Sequence, residues 1–149
     1  MKKYLFIMLS AMLMVMSAGC SSDDDNIDQT TLNGTWNMVK YDLGEGYYQE
    51  EFQPGEVTIT FDDKSKHLIV ENNKGVFFLK SGSYSYKTST ETRRILTYEW
   101  VDVEYNVITI QFSDGGAVSY DYRIYNGTLC FDGGMASDGP GYFFKKSAK

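Results

Sequence analysis

The side chains most able to do chemistry in this sequence are its one histidine, His67, and Cys130, one of two cysteines. Catalysis of the Ser-His-Asp or Cys-His type would have to use His67, and no nucleophile-elbow motif accompanies it. A zinc site needs several His or Cys ligands, which these two side chains do not supply. Cys130 alternates with Leu129 and Phe131, so we expect a packed, unreactive thiol. The sequence therefore predicts no enzyme and no catalytic residue.

Carboxylates occur in two groupings that bear on metals and on acid–base catalysis. Asp132 and Asp138 lie in a glycine-rich segment that could offer oxygens to calcium, but the EF-hand spacing is absent and such segments are usually turns. Glu50 and Glu51 are adjacent in the long loop expected from Asp42 to Gly55. Glycosidase carboxylates instead come from separate elements that flank a cleft. We expect neither a metal ion nor a cofactor.

The other cysteine, Cys20, is expected to carry lipid. A positively charged start and an apolar run from Leu5 to Val15 have the organisation of a secretory signal peptide. The run is shorter than the roughly 20 apolar residues that span a bilayer. The sequence SAGC at residues 17–20 resembles the lipobox of bacterial lipoproteins, although Ser17 stands where that family usually has Leu. The resemblance implies that residues 1–19 are removed and that Cys20 is acylated.

Residues 20–31 should form an acidic tether between this anchor and a folded domain over residues 32–149. The tether is polar and almost free of apolar side chains, which is typical of disorder. Its residues 21–31 would span about 18 Å as a flexible coil. The run SSDDD resembles the export signal of surface-exposed lipoproteins of Bacteroidota, and it is equally typical of a solvated spacer. We expect attachment to the outer membrane, with the periplasmic and the cell-surface face both open.

The charge balance restricts the possible partners. The 149 residues carry a formal net charge of −6, which becomes −8 once the leader with its two lysines is removed. An acidic surface disfavours nucleic acid and electrostatic attraction to anionic membranes. Membrane attachment should therefore come from the acyl chains on Cys20. Because that cysteine is acylated, Cys130 has no cysteine to pair with, and the fold must rest on its core.

Apolar residues alternate with polar ones from residue 32 onward, and no segment has helical periodicity. Thr88–Thr92 is expected to be a loop, and Asn126-Gly127 predicts a type I′ hairpin turn. Eight to ten short strands with tight connections predict an antiparallel all-β domain, in which about eight strands favour a closed up-and-down barrel over a β-sandwich. The clearest expected strands are Trp36–Tyr41, Val57–Phe61, His67–Val70, Ile95–Val101, Val107–Phe112, Val118–Ile124 and Tyr142–Phe144.

Six aromatic residues are candidate ligand-binding residues because they recur at alternate positions beside apolar ones: Tyr84, Tyr86, Tyr98, Trp100, Tyr120 and Tyr122. One interpretation is that they fill a solid core, as in many small barrels. The other is a cavity with an apolar wall and phenolic hydroxyls, suited to a small amphipathic or sugar-like ligand. Buried hydroxyls need partners, because an unpaired buried polar group costs about 1–3 kcal/mol.

The start of the domain, LNGTW at residues 32–36, resembles the Gly-x-Trp motif of lipocalins. The closing segment GYFFK at residues 141–145 is similar to the last strand of small lipocalin-like lipoproteins of Bacteroidota. The resemblance implies a lipocalin-like barrel in which Trp36 packs across the closed end. Together with the anchor, it predicts an envelope lipoprotein that binds a small hydrophobic or glycan-derived ligand. The alternative is a non-catalytic protein-interaction module of an outer-membrane assembly.

Overall fold

The computed structural model of the chain describes residues 31–43, 49–133 and 139–148. The leader, Cys20 and the tether up to residue 30 lie outside the described residues. Within the described ranges no helix is long and apolar enough to cross a membrane. The strands are β1 (Gly34–Asp42), β2 (Gln49–Glu51), β3 (Val57–Asp62), β4 (His67–Asn72), β5 (Gly82–Leu96), β6 (Trp100–Gln111), β7 (Ala117–Tyr125), β8 (Thr128–Asp132) and β9 (Gly141–Lys146).

The strands form one antiparallel sheet that closes on itself. Its order is β2-β1-β3-β4-β5-β6-β7-β8-β9, and β9 also pairs with β1, from Trp36–Lys146 to Asp42–Gly141. The closure makes a ring of eight strands, and β2 pairs with the last residues of β1 outside that ring. The predicted antiparallel all-β barrel is therefore confirmed. The sandwich alternative is excluded, because the two edges of the sheet are joined.

A bulge in β1 decides which of its residues face the core. Trp36 and Met38 are fully buried, and the register to β9 shifts between Met38 and Lys40. An extra residue in one strand reverses the alternation of faces beyond it. Tyr41 therefore turns inward and packs against the core, where strict alternation predicted the outward face.

The apolar run after β4 is a wedge inside the barrel, which we define as residues Val76–Leu79. The Asn72 side chain fixes it: Nδ2 donates to the carbonyls of Phe77 at 3.0 Å and Leu79 at 2.8 Å. Asn72 Oδ1 accepts from the Gly75 amide at 2.8 Å, and Gly75 has the left-handed φ of 71° that glycine adopts without strain. The wedge side chains Phe77 and Leu79 are buried.

Strands β5 and β6 continue beyond the barrel wall as a two-stranded arm, which we define as residues 90–105. They pair with each other as far as Leu96–Trp100, whereas β4 pairs with β5 only up to Ser85. On the other side, β7 pairs with β6 only from Asn106 onward. Within the arm, β5 and β6 therefore pair with each other and with no barrel strand. Only the base of the arm is part of the barrel wall.

The arm overturns two predictions from the sequence. Thr88–Thr92 is part of β5 and not a loop, because threonines suit a strand and β6 supplies the cross-strand hydrogen bonds. The strand predicted over Ile95–Val101 is instead interrupted by the turn of the arm at residues 97–99. In that turn the Thr97 amide donates to the Glu99 carbonyl at 3.1 Å.

The barrel has two distinct ends. The entry end is where the chain enters β1 at Gly34, opposite Phe61, and it carries the β3–β4 turn and the arm. The hairpin turn Asn126-Gly127 lies there too, and the positive φ angles of both residues, 48° and 68°, agree with the predicted type I′ turn. The opposite end carries Tyr41, the base of the wedge and the β6–β7 turn at residues 112–116.

Candidate functional site

The six candidate aromatic residues fall into two groups. Tyr86 is buried, and the half-buried Tyr84, Tyr120 and Tyr122 also pack against the core. Tyr98 and Trp100 belong to the arm, where they are 107% and 60% exposed. For these two, both a core role and a cavity role are wrong, because the hairpin carries them past the barrel.

Two of the inward-facing tyrosines have hydroxyl groups that protein atoms already satisfy. Tyr86 donates to the carboxylate of Asp63 in the β3–β4 turn, and its ring meets Phe61 edge-on at 5.3 Å. Burial and the Asp63 carboxylate raise the pKa of the Tyr86 hydroxyl. Tyr84 donates to the Lys80 carbonyl at 2.8 Å. Both hydroxyls therefore have hydrogen-bond partners within the protein and need no ligand to satisfy them.

Four aromatic side chains meet at the opposite end in what we call the opposite-end cluster: Tyr41, Phe78, Tyr120 and Tyr142. Phe78 stacks on Tyr120 with centroids 4.2 Å apart, and Tyr41 stacks on Tyr142 at 5.1 Å. Tyr142 also meets Phe78 and Tyr120, at 5.5 and 6.4 Å. Only Tyr120 of this cluster was a sequence candidate. The bulge in β1 brings Tyr41 into the cluster, and the wedge brings in Phe78. In the sequence, the apolar run at residues 76–79 was the only signal that pointed to either residue.

The hydroxyl of Tyr120 is the open polar group of this cluster. The side chain is half-buried. Its hydroxyl makes no hydrogen bond to another described residue. Burial is the main cause that raises its pKa, so the hydroxyl stays protonated at neutral pH and acts as a neutral donor and acceptor. Such a group beside stacked rings is able to hydrogen-bond water or a small polar ligand.

The centre of the barrel is occupied by its own side chains. Phe77 of the wedge lies against Tyr142, Phe144 and Phe131, at centroid distances of 5.1, 5.4 and 6.3 Å. Phe144 and Phe131 are fully buried, as is Trp36 nearer the entry end. The wedge therefore takes the central position that a lipocalin-type ligand would need.

The tip of the arm is an exposed apolar surface, which we define as Leu96, Tyr98 and Trp100. Leu96 and Trp100 are directly opposite each other in register and are 62% and 60% exposed, while Tyr98 lies between them in the turn. The sequence contained this pattern, because Leu96 and Trp100 flank a short polar turn. It was interpreted as one continuous strand, so the surface was missed.

A cation braces the base of the arm. Arg93 on β5 donates to both carboxylate oxygens of Asp121 on β7, at 2.6 and 2.7 Å, and its guanidinium lies 4.8 Å from the ring of Tyr105. Asp121 and Glu91 raise the pKa of the Arg93 guanidinium, which is charged in any case. A bidentate pair of this kind fixes direction as well as distance. This contact therefore links the lower part of the arm to the barrel wall and restricts its direction there.

The remaining candidates for chemistry lie apart. His67 is exposed at the start of β4, and Glu50 and Glu51 lie in β2 opposite Tyr41 and Lys40. Cys130 is buried, and burial raises the pKa of its thiol. Among the described residues no group of three or more His, Cys, Asp or Glu side chains could hold a metal ion. Asp138 lies outside the described ranges.

The fold and its surfaces thus define a closed barrel with an occupied centre, an aromatic cluster at one end and an apolar arm tip at the other. Comparison of the chain with protein-family models, with curated proteins and with solved structures finds no match.

Proposed function

We propose that this protein is a lipid-anchored, non-catalytic interaction module of the cell envelope, and that the arm tip is its contact surface. The observation that carries the proposal is the joint exposure of Leu96, Tyr98 and Trp100 at the end of a braced arm. Exposed apolar patches rimmed by polar residues mark interaction sites. Trp and Tyr are also the residues that most often dominate binding energy at interfaces.

The occupied centre is what favours this function over a ligand held deep inside the barrel. Admitting a ligand there would require moving Phe77 and Leu79, which are buried and held by Asn72. Truncation of a buried Phe or Leu typically costs about 2–5 kcal/mol of stability. Moving both side chains out of the core would lose packing of a similar size for each. The arm tip needs no such change, and its braced geometry reduces the entropy lost on binding.

The anchoring part of the proposal rests on the SAGC sequence that ends in Cys20 and on the leader before it. In protein from which the leader has been removed, Cys20→Ala should move the chain from the membrane fraction to the soluble fraction, because the acyl chains on Cys20 supply the strong part of the attachment. Ser21→Ala is the matched control and should stay with the membrane. A Cys20→Ala protein that still partitions wholly with membranes would contradict the lipid anchor.

The contact role of the arm tip is testable by photo-crosslinking in intact cells. A photoreactive phenylalanine analogue replaces Tyr98 in one strain and Ile69 in a second. Ile69 is the matched control, because it is 54% exposed and apolar but lies on the barrel wall. We expect adducts from position 98 and few from position 69. Equal yields, or no adduct from position 98, would rule out the arm tip as a contact surface.

A second candidate function is binding of a small sugar-like or amphipathic ligand at the opposite-end cluster. The open Tyr120 hydroxyl beside the stacked Phe78 ring favours it. Protein purified from its own cells should then show a bound mass by native mass spectrometry that Phe78→Ser removes. Tyr125→Ser, at an exposed site on the entry end, should leave it. Absence of a bound mass from the unmodified protein would count against this candidate.

A further inference from the structure

We propose that the surface contacted by the arm tip is the bilayer that holds the protein's own lipid anchor, so that the molecule attaches to the membrane at two points. The inference rests on the proposed anchor at Cys20 and on the proposed contact role of the tip. It names the partner of that contact as the interfacial layer of a phospholipid membrane.

The first step is that the anchor and the arm lie at the same end of the barrel. The chain enters β1 at Gly34, which pairs with Phe61 at the end of β3. The arm leaves the barrel past Ser85, which pairs with His67 at the start of β4. Because β3 and β4 are joined by the turn between Asp62 and His67, these positions share the entry end. A membrane that holds the anchor therefore faces the end from which the arm extends.

The second step is that the lengths are compatible. Eleven residues, 21–31, follow Cys20 before the barrel domain begins, and a chain of that length reaches at most about 36 Å when fully extended. The arm from Thr90 to Leu96 extends about 20 Å, at roughly 3.3 Å per residue. The arm is therefore shorter than the maximum reach of the connection, so both the anchor and the arm tip are able to contact one membrane surface.

The third step is the chemistry of the tip. Trp and Tyr are enriched at membrane–water interfaces, where the ring is in apolar surroundings and its polar group stays wet. Leu96 adds an aliphatic side chain that is favourable in the acyl boundary. Tyr125 is a further aromatic side chain at the entry end, beside the Asn126-Gly127 turn, and is 72% exposed. The four exposed large apolar side chains described at this end are thus of types found at membrane interfaces.

The fourth step is area, which favours a membrane over a protein as the partner of the three tip side chains. Three side chains of this size and exposure offer at most about 500 Å² of contact surface. A stable protein–protein interface buries about 800 Å² on each partner. Insertion into a bilayer has no such minimum when a covalent lipid already keeps the protein at the surface, because the second contact is then intramolecular.

The fifth step is charge. The arm has two more acidic than basic residues, and the rim of the entry end has two more basic than acidic ones. With Lys87, which lies between Ser85 and the arm, these described residues sum to a formal charge of +1, and Asp23, Asp24, Asp25 and Asp28 precede them in the sequence. The entry end therefore has no cationic excess that would attract it to a strongly anionic surface. The rim residues are Lys64, Lys66, Lys145 and Lys146 with Asp62 and Asp63.

The test measures the depth of Trp100 in a membrane. The acylated protein is reconstituted in phosphatidylcholine vesicles that contain brominated phosphatidylcholine, and tryptophan emission is recorded. Trp36 is fully buried and gives a constant background. We expect the brominated lipid to quench about half of the Trp100 emission, as for a ring at headgroup level. Trp100→Phe should abolish the quenching without releasing the protein, and Ile69→Ser should leave the quenching unchanged.

The outcomes separate the inference from the function on which it rests. Unquenched Trp100 in protein that stays bound to the vesicles overturns the bilayer contact but leaves the anchor in place. Acylated protein that does not stay with the vesicles overturns the anchor and the inference together. If the photoreactive group at position 98 couples to a protein in cells and not to phospholipid, the tip is a contact surface whose partner is a protein, and the inference is wrong.

Discussion

At the scale of single residues, the two tryptophans show how position decides the role of one residue type. Trp36 has no exposed surface, donates its indole N–H to the Leu32 carbonyl at 2.6 Å, and lies under the Lys146 ammonium at 5.1 Å. Trp100 points into solvent at the end of the arm. Trp36 therefore supports the core, whereas Trp100 is available for the contact that we propose for the arm tip.

This contrast gives the first prediction. Trp36→Ala should lower the free energy of unfolding by about 3–5 kcal/mol, the range for truncation of a large aromatic side chain in a core. Trp100→Ala should change it by no more than about 0.5 kcal/mol, as for most surface substitutions. Urea denaturation followed by circular dichroism measures both. Equal midpoints for the two variants would mean that Trp36 does not support the core.

The tyrosines predict how stability depends on pH. Burial is the largest cause that raises the pKa of Tyr86, Tyr120, Tyr122 and Tyr142 above the ordinary value of 10.0. In the unfolded chain these groups ionise near pH 10, while in the folded protein they stay protonated. The folded state then binds more protons, so the stabilisation is complete below pH 10 and is lost as the pH rises further.

The free energy of unfolding should thus fall between pH 10 and 11.5, because the unfolded state gains by ionising its tyrosines. Urea titrations at pH 8, 9, 10, 11 and 11.5 measure the slope. Tyr122→Phe should make the slope shallower, since it removes one buried ionisable group. Tyr125→Phe is the control, because Tyr125 is exposed and should leave the slope as it is. A stability that is flat to pH 11.5 would contradict the burial of these phenols.

Alternation in the sequence was enough to predict that Tyr84, Tyr86, Tyr120 and Tyr122 face inward, but it failed for Tyr41 and Tyr98. The hydrogen-bond partners of the inward-facing tyrosines could not be predicted from it. Tyr86 finds Asp63 in the turn before the preceding strand, and Tyr84 finds the Lys80 carbonyl at the end of the wedge segment. Both partners sit in irregular segments whose course depends on the three-dimensional fold. The expectation that several phenols would need water or ligand therefore failed for these two, and it remains a prediction for Tyr120 and Tyr122.

At the scale of elements, the wedge shows one polar side chain organising an apolar segment. Asn72 supplies two donors and one acceptor to backbone atoms of residues 75–79. It replaces the hydrogen bonds that a regular strand would have given them. Without it, the Phe77 and Leu79 carbonyls near the core would lose a partner, which costs about 1–3 kcal/mol for each unpaired group.

Asn72→Ala should therefore lower the free energy of unfolding by about 2 kcal/mol or more. It should also weaken the near-ultraviolet circular dichroism of the aromatic core, because Phe77 would lose its fixed position. Asn73→Ala is the matched control, since the Asn73 side chain makes an exposed 3.4 Å contact to the Gly55 carbonyl, while its backbone amide, which the substitution keeps, donates to the Glu56 carbonyl. If both variants unfold at the same urea concentration, the wedge is held by its apolar contacts alone.

Strands with clear alternation, such as β3, β4 and β7, were predictable, whereas the elements that shape the surfaces were not. The β1 bulge needs knowledge of its pairing to β9, because the residues around Val39 alternate without interruption. The arm contains Thr-rich sequence that looks like a loop until β6 lies beside it. The wedge is apolar like a strand, and only the three-dimensional position of Asn72 shows that it turns inward.

At the scale of the whole molecule, the barrel and the arm are separable by their contacts. Each ring strand pairs on two sides, and closure joins the first strand to the last through β1 and β9. The arm pairs only with itself and returns to the barrel through the Arg93–Asp121 contact. Two-point attachment at the entry end would also leave the opposite-end cluster turned away from the membrane and open to soluble partners.

Excising the arm should consequently leave the fold intact. A variant that lacks residues 93–103, with the directly opposite residues Thr92 and Glu104 joined through an Asn-Gly turn, should unfold cooperatively within about 1 kcal/mol of the unmodified protein, since partly exposed ion pairs contribute little. Truncation before Gly141 removes β9 and exposes Leu129 and Phe131, so it should abolish the cooperative transition. Urea titration compares the two, and the shortened arm should also lose the crosslinks assigned to the tip. An arm deletion that unfolds the protein would show that the arm is part of the fold and not an appended contact element.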